Sequence, residues 1–145
     1  MKIYLCGPIR DVQRSEASSW RDRASELLKK CGHETVNPEK ENPLVEVHLT
    51  PDTVLTDEQT KSLVDFDKRE IDSCDVLLVN LSNDAKTAGT PMEMIYAWER
   101  GKRIVVVGDR SKLSPWYRYH ADRILPDLES ALSAVIGGER HGGNI

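Results

Sequence analysis

Two segments of this chain, Val76-Leu77-Leu78-Val79 and Ile104-Val105-Val106-Val107, are apolar at every position. A strand with one face in water alternates apolar and polar residues, whereas one that is apolar throughout has to be covered on both faces. Strands of that kind belong to parallel sheets, whose crossover connections are usually helices. The rest of the sequence supplies the crossovers. Lys2 to Cys6 reads as a short buried strand ended by Gly7-Pro8. Ser15 to Cys31 reads as a helix, with Ser15 as its N-cap, apolar groups at Ala17, Trp20, Ala24, Leu27 and Leu28, and Gly32 as the stop. His33 to Val36 is a second strand, closed by Asn37-Pro38.

Residues 39 to 56 contain Pro43 and Pro51 and little periodicity, so they are expected to form a long loop of the kind that serves as a lid or binding segment. Thr56 or Asp57 caps a helix to about Ser73, with Leu63, Phe66 and Ile71 turned inward. The strand Val76–Leu81 follows, then a polar turn from Ser82 to Gly89. Thr90, with Pro91 at the first helical position, opens a helix to about Arg100 that Gly101 stops. Arg103–Val107 and a weaker Arg123–Leu125 are the last strands, and Leu128–Ile136 is the last helix. The order predicts a single flavodoxin-like, doubly wound α/β domain over residues 1–136, with a five-stranded parallel sheet. The glycine-rich tail, residues 137–145, is expected to be disordered. In such sheets ligands bind beyond the carboxyl ends of the strands, which directs attention to the loops after the first, third and fourth strands.

Composition narrows the class. A net charge of −4 argues against a binder of nucleic-acid polymers, which usually present a basic face. It does not exclude a small anionic ligand, which two or three local donors can hold. Cys6, Cys31 and Cys74 are odd in number and widely spaced, so neither a disulfide framework nor a zinc site is expected, and free thiols suit the cytoplasm. The first apolar stretch is broken at Gly7-Pro8, too soon for a signal peptide, and no apolar run approaches the roughly 20 residues of a membrane span.

Three segments could carry chemistry. In Gly7-Pro8-Ile9-Arg10, the glycine would let backbone approach a ligand and the arginine could meet an anion bidentately; a tight turn with a solvated arginine is the alternative. In Thr87-Ala88-Gly89-Thr90-Pro91-Met92-Glu93, Gly89 and Thr90 shape a turn at a helix start, where N–H groups face a sugar or phosphate. Glu93 then lies in the first turn, although Thr90-x-x-Glu93 is equally the spacing of a capping box. The acidic run Asp65 to Asp75 would ordinarily be a solvated face. With Ile71 in the core, however, Asp67 falls one turn earlier on the same side and can look into the cleft. A carboxylate pair is the usual equipment for glycosidic cleavage.

Together these segments resemble the nucleoside 2-deoxyribosyltransferase family, including the related nucleoside 5′-monophosphate N-hydrolases. The resemblance rests on Lys2-Ile3-Tyr4-Leu5-Cys6-Gly7-Pro8, on Asp67-x-x-x-Ile71-x-x-Cys74-Asp75, and on Gly89-Thr90-Pro91-Met92-Glu93-Met94-Ile95-Tyr96-Ala97 with Gly101-Lys102, and it covers roughly residues 2–125. It implies that Glu93 is the nucleophile of a covalent glycosyl intermediate, that Tyr4 orients it, and that Asp67 contacts the sugar hydroxyls or the leaving base. It implies no metal or organic cofactor, and a homodimer or larger assembly whose sites are completed by the neighbouring subunit.

The departures from the family pattern bear on the substrate. Base-exchanging transferases commonly carry an aspartate six residues before the nucleophile, where this chain has Thr87; the monophosphate hydrolases carry a phosphate-binding serine there. Their Ser-Ile-Arg loop is Pro8-Ile9-Arg10 here, so the arginine is kept and the serine lost. Ser114 matches the serine that a neighbouring subunit lends to the phosphate, and Asp122 falls in a segment that contributes across the interface. Met92 could brush the base, although at helical spacing it first suggests packing. These features favour a phosphorylated substrate. Base exchange between nucleosides and a non-catalytic nucleotide-sensing module are the alternatives. A phosphoribohydrolase of the lysine-decarboxylase-like group would need a Pro-Gly-Gly run before Gly89, which this chain lacks.

Overall fold

A computed structural model describes residues 1–50, 52–83 and 87–138. Its five strands are β1 (Lys2–Cys6), β2 (Glu34–Val36), β3 (Val76–Asn80), β4 (Arg103–Val107) and β5 (Arg123–Leu125). They form one sheet in the order β2-β1-β3-β4-β5, parallel at every pairing. This is the doubly wound arrangement that the apolar strands require, with its topological switch between β1 and β3.

The two faces of the sheet bury different helices. Ile3, Leu5, Val76, Leu78, Val105 and Val107 pack with Ala24 and Leu28 of α1 (Arg14–Lys30) and Leu132 and Val135 of α7 (Leu128–Ile136). The alternate strand residues, among them Tyr4, Cys6, Leu77 and Val79, pack with Ile71 of α4 (Asp57–Ser73) and Met94 and Ala97 of α5 (Gly89–Glu99). Because neighbouring strand residues point to opposite faces, Tyr4 and Cys6 share the face that carries α4 and α5. That parity positions the site.

Local chemistry sets the helix ends. Thr56, one of the two expected caps, forms a reciprocal capping box with Gln59 at the start of α4. The other helix starts differ from expectation. α1 begins at Arg14 behind Gln13, which makes no side-chain cap bond, so Ser15 lies inside the helix. α5 begins at Gly89, placing Thr90 second and Pro91 third, where a missing N–H is still harmless because no helical acceptor precedes it. Residues 39–56 are not wholly a loop. They contribute to α2 (Pro38–Glu41), capped by the Asn37 side chain, and hold α3 (Val45–His48). A further short helix, α6 (Pro115–His120), is capped by Ser114. Most of the expected disordered tail, residues 139–145, and the middle of the Ser82–Gly89 turn lie outside the described residues. Among the described residues, no helix is long and apolar enough to cross a membrane.

Candidate active site

The loop after β1, α3, the middle of α4, the Thr87–Ala88 segment and the start of α5 line a cavity of about 200 Å³. Its lining includes Glu93 and Asp67 together with Gly7, Ile9, Arg10, Thr87 and Gly89. These residues are far apart in sequence, and each comes from one of the three segments singled out above.

Glu93 owes its place to α5. Thr90 is not the N-cap, so no capping box forms and the carboxylate turns to the sheet instead. The Tyr4 hydroxyl donates to Glu93 Oε2 at 2.5 Å. Burial, followed by the nearby Asp67 charge, pushes the Glu93 carboxyl up to about 8; the Tyr4 bond, the Arg21 charge and the Cys6 thiol oppose that rise. Asp67 is also raised, by burial, against hydrogen bonding from Asn42 and Tyr4 and the attraction of Arg21. Tyr4 itself is held well above the usual phenol range by burial and by both carboxylates, so it stays a neutral donor. The two carboxyls and the phenol form one unit that retains a proton near neutrality, with the proton belonging to the pair rather than to either member.

Asp67 sits one turn before the buried Ile71, as the helical spacing requires. Its orientation comes from a residue the sequence reading passes over. Asn42, only 2% exposed, donates through Nδ2 to Asp67 Oδ1 at 3.0 Å and to Leu63 O at 3.2 Å. Its Oδ1 accepts from Leu44 N at 3.0 Å, which fixes the amide's orientation. The Asn42-Pro43 pair, a turn signal, was its only trace in the sequence.

Burial and the adjacent Glu93 raise the Cys6 thiol well above its usual range, which removes it as a nucleophile. Among the described residues, no group of three or more His, Cys, Asp or Glu side chains converges on a metal position.

The far wall carries polar groups. Arg10 donates from Nε to Thr50 O and from Nη2 to Thr53 O, each at 3.1 Å, tying the first loop to the segment after α3. Thr87 lies 3.5 Å from Thr90 between hydroxyl oxygens. His48 joins this wall, with a buried Nδ1 that has no hydrogen-bond partner among the described residues. Gly7 serves mainly for packing: a Cβ there would lie 3.1 Å from Asn80 O and 3.2 Å from the Trp20 ring, so close approach of protein to protein excludes a side chain.

A second cavity of about 130 Å³ adjoins the first and shares Leu63, Asp67, Gly89 and Glu93 with it. Its remaining lining is mostly apolar, with Val64, Ile71, Tyr96 and the 70% exposed Met92. Two expected residues lie elsewhere. Ser114 Oγ accepts from Trp116 N as the α6 cap, leaving its hydroxyl hydrogen to donate, and lines neither cavity. Asp122 is not a cleft residue of its own chain: Oδ2 accepts from Ile104 N at 2.8 Å beside the amino-terminal half of β4, away from the carboxyl ends.

No curated protein sequence matches this chain significantly. Solved structures do. A 2-deoxyribosyltransferase from Bacillus psychrosaccharolyticus superposes with a TM-score of 0.70 at 18% identity, covering 94% of this chain and 96% of that one. A CMP N-glycosidase from Clostridium botulinum, BcmB, gives 0.60 at 14% identity, covering 96% and 100%. A 2-desoxiribosyltransferase from Leishmania mexicana gives 0.63 at 15% identity, covering 94% and 97%. At these identities the likeness establishes a shared fold. The sequence also matches the nucleoside 2-deoxyribosyltransferase family over residues 3–131, nearly the whole domain, and the chain belongs to that family.

Proposed function

We propose that this protein hydrolyses the N-glycosidic bond of a nucleoside 5′-monophosphate through a covalent ester on Glu93. The observation that carries this reading is the meeting of two unlike cavities at Glu93 and Asp67. A nucleotide has an anionic sugar-phosphate end and a flat, largely apolar base. Laid across the junction, its phosphate would face Arg10 and Thr87, its base would face Met92 and Tyr96, and the bond between them would lie over the carboxyl pair. Two of the Arg10 bonds go to the neutral carbonyls of Thr50 and Thr53, and a phosphate oxygen is a stronger, charge-assisted partner than either.

In the first step a Glu93 carboxylate oxygen attacks C1′. The electrons of the C1′–N bond pass to the base, which takes up the proton held by the carboxyl pair through Asp67. Tyr4 favours the ionised form of Glu93 and aims it by donating to the oxygen that does not attack. In the second step water attacks C1′, returns a proton to Asp67 and releases the sugar phosphate and free Glu93. Two inversions give net retention. No cofactor is required.

The same first step would serve base exchange, with a second nucleobase replacing water. Thr87 favours the hydrolase, because it offers a hydroxyl to phosphate and no carboxylate to a base. Incubating the enzyme with ribo- and 2′-deoxynucleosides and their 5′-monophosphates, with and without a second base, decides the matter. Free base and sugar phosphate from monophosphates support the proposal, whereas a new nucleoside formed from the added base would replace it with transfer.

We further propose an assembly of two or more copies, in which Ser114 from a neighbour reaches the phosphate. In support, Ser114 is exposed and lies beside Trp116 and Tyr119, which are 74% and 71% exposed. Free cysteines at positions 6, 31 and 74 accord with a cytoplasmic enzyme.

A further inference from the structure

Arg21 has no part in the chemistry described so far, yet its side chain is among the largest that are fully buried, at 0% exposure. It occupies the apolar stripe of α1, with Ala17, Ala24 and Leu28 as its buried neighbours on that face. Its guanidinium reaches the carboxyl end of β1, donating from Nε to Leu5 O at 3.3 Å and from Nη2 to Gly7 O at 2.9 Å. Nη1 donates to Ala17 O at 2.9 Å, and the Trp20 ring lies 4.7 Å from Cζ. Among the described residues no carboxylate forms an ion pair with it within 4.0 Å. A charge buried among carbonyls is costly unless opposite charge lies near. The carboxyls that offset it are Glu93 of the site and the buried Glu39 of α2.

We propose that Arg21 is a positioning residue for the glycosidic reaction: it clamps the strand end that carries Tyr4 and the Gly7–Arg10 loop, and its buried positive charge stabilises the carboxylate form of the Glu93–Asp67 pair. The inference rests on the assignment of Glu93 as nucleophile. Two stacked roles follow for one side chain. The clamp fixes where the Tyr4 hydroxyl stands beneath Glu93, and the charge counters the repulsion between two carboxyls forced into one cleft. The titratable groups within electrostatic reach of Arg21 are Tyr4 and Cys6 from β1, Glu39 from α2, Asp67 from α4 and Glu93 from α5; Glu39 also lies 3.6 Å from the Arg14 guanidinium, whereas the Glu93–Asp67 pair is served by Arg21.

The test compares Arg21→Met, Arg21→Gln and Arg21→Lys with the wild type, measuring kcat/KM against pH on one substrate. Removing the charge in the Met or Gln variant should move both limbs of the profile to higher pH, by on the order of one pH unit. The Lys variant keeps the charge and loses the fork, so it should lower the maximum while holding the limbs near their wild-type positions. Limbs that stay in place in a folded Met or Gln variant, with only the amplitude reduced, would show that Arg21 is purely structural and overturn the inference. Failure of both neutral variants to fold overturns it equally. Glu93→Ala is measured in parallel: retained activity there refutes the nucleophile assignment itself, a result distinct from an unshifted Arg21 profile.

Discussion

Tyr4 donates its hydroxyl to Glu93 Oε2 at 2.5 Å, a bond that joins residues 89 apart in sequence. It exists because Tyr4 has the parity in β1 that faces α5, and because α5 starts two residues earlier than its Thr-Pro signal suggests. Losing that hydroxyl removes a charge-assisted bond at the reacting group. Tyr4→Phe should therefore lower kcat by roughly 10- to 100-fold, the equivalent of about 1.5–3 kcal/mol. It should also raise the Glu93 pKa further, since the Tyr4 bond holds it down. A wild-type kcat in a folded Phe variant would remove Tyr4 from the mechanism.

The shared proton predicts a bell-shaped dependence of kcat/KM on pH. The reactive form has one ionised carboxyl to attack and one protonated carboxyl to serve the base. Activity should fall on the alkaline side near pH 8, where the pair loses its last proton, a limb well clear of the substrate phosphate's own pKa of about 6. On the acid side the limb should lie above the ordinary aspartate range, because burial raises Asp67. Activity that keeps climbing past pH 9 would contradict the single-proton state.

The raised Glu93 carboxyl should also make stability depend on pH. A carboxyl whose folded pKa is raised binds its proton more tightly when folded, so it costs stability as pH rises from its unfolded value, about 4.3, toward about 8. Glu93→Gln removes that penalty. The variant should melt higher than the wild type at pH 8 and above, with the gain vanishing near pH 4, while turnover drops on the order of 10³-fold or more. Thermal melts across this range, paired with assays, check both halves.

Arg10→Ala should act on the phosphate end alone. The ratio of kcat/KM for a nucleoside 5′-monophosphate to that for the free nucleoside should fall by roughly 10- to 100-fold, with little change for the free nucleoside. Equal losses on both substrates would mean that Arg10 serves only to tie down the segment after α3.

Gly7→Ala tests packing. The added methyl must displace the Asn80 carbonyl or the Trp20 ring, and an overpacked site of this kind typically costs about 1–3 kcal/mol. Chemical denaturation should show that loss, and an unchanged midpoint would mean that the strand end yields more readily than its contacts imply.

Much of this protein is determined by the sequence alone. Apolar runs at Val76–Val79 and Ile104–Val107 require a sheet covered on both faces, and the alternation of strands and helices yields the observed order. Tyr4 lies in a strand, Asp67 in a crossover helix and Glu93 at a helix start, and a sheet of this kind gathers them at the carboxyl ends of its strands. These features are periodic or local, so a linear reading reaches them. The tertiary structure decided the rest. Short helices α2 and α3 depend on contacts such as Asn42 to Asp67 rather than on periodicity. Asp122 reads only as part of a segment offered to a neighbouring subunit, and folding sets its carboxylate on the β4 backbone of its own chain. Arg21 reads like one of many helix charges, although its spacing from Ala17, Ala24 and Leu28 already sets it on the buried stripe. Whether a polar side chain is buried, and which groups then share its charge, depends on neighbours distant in sequence, and that is settled only when the chain has folded.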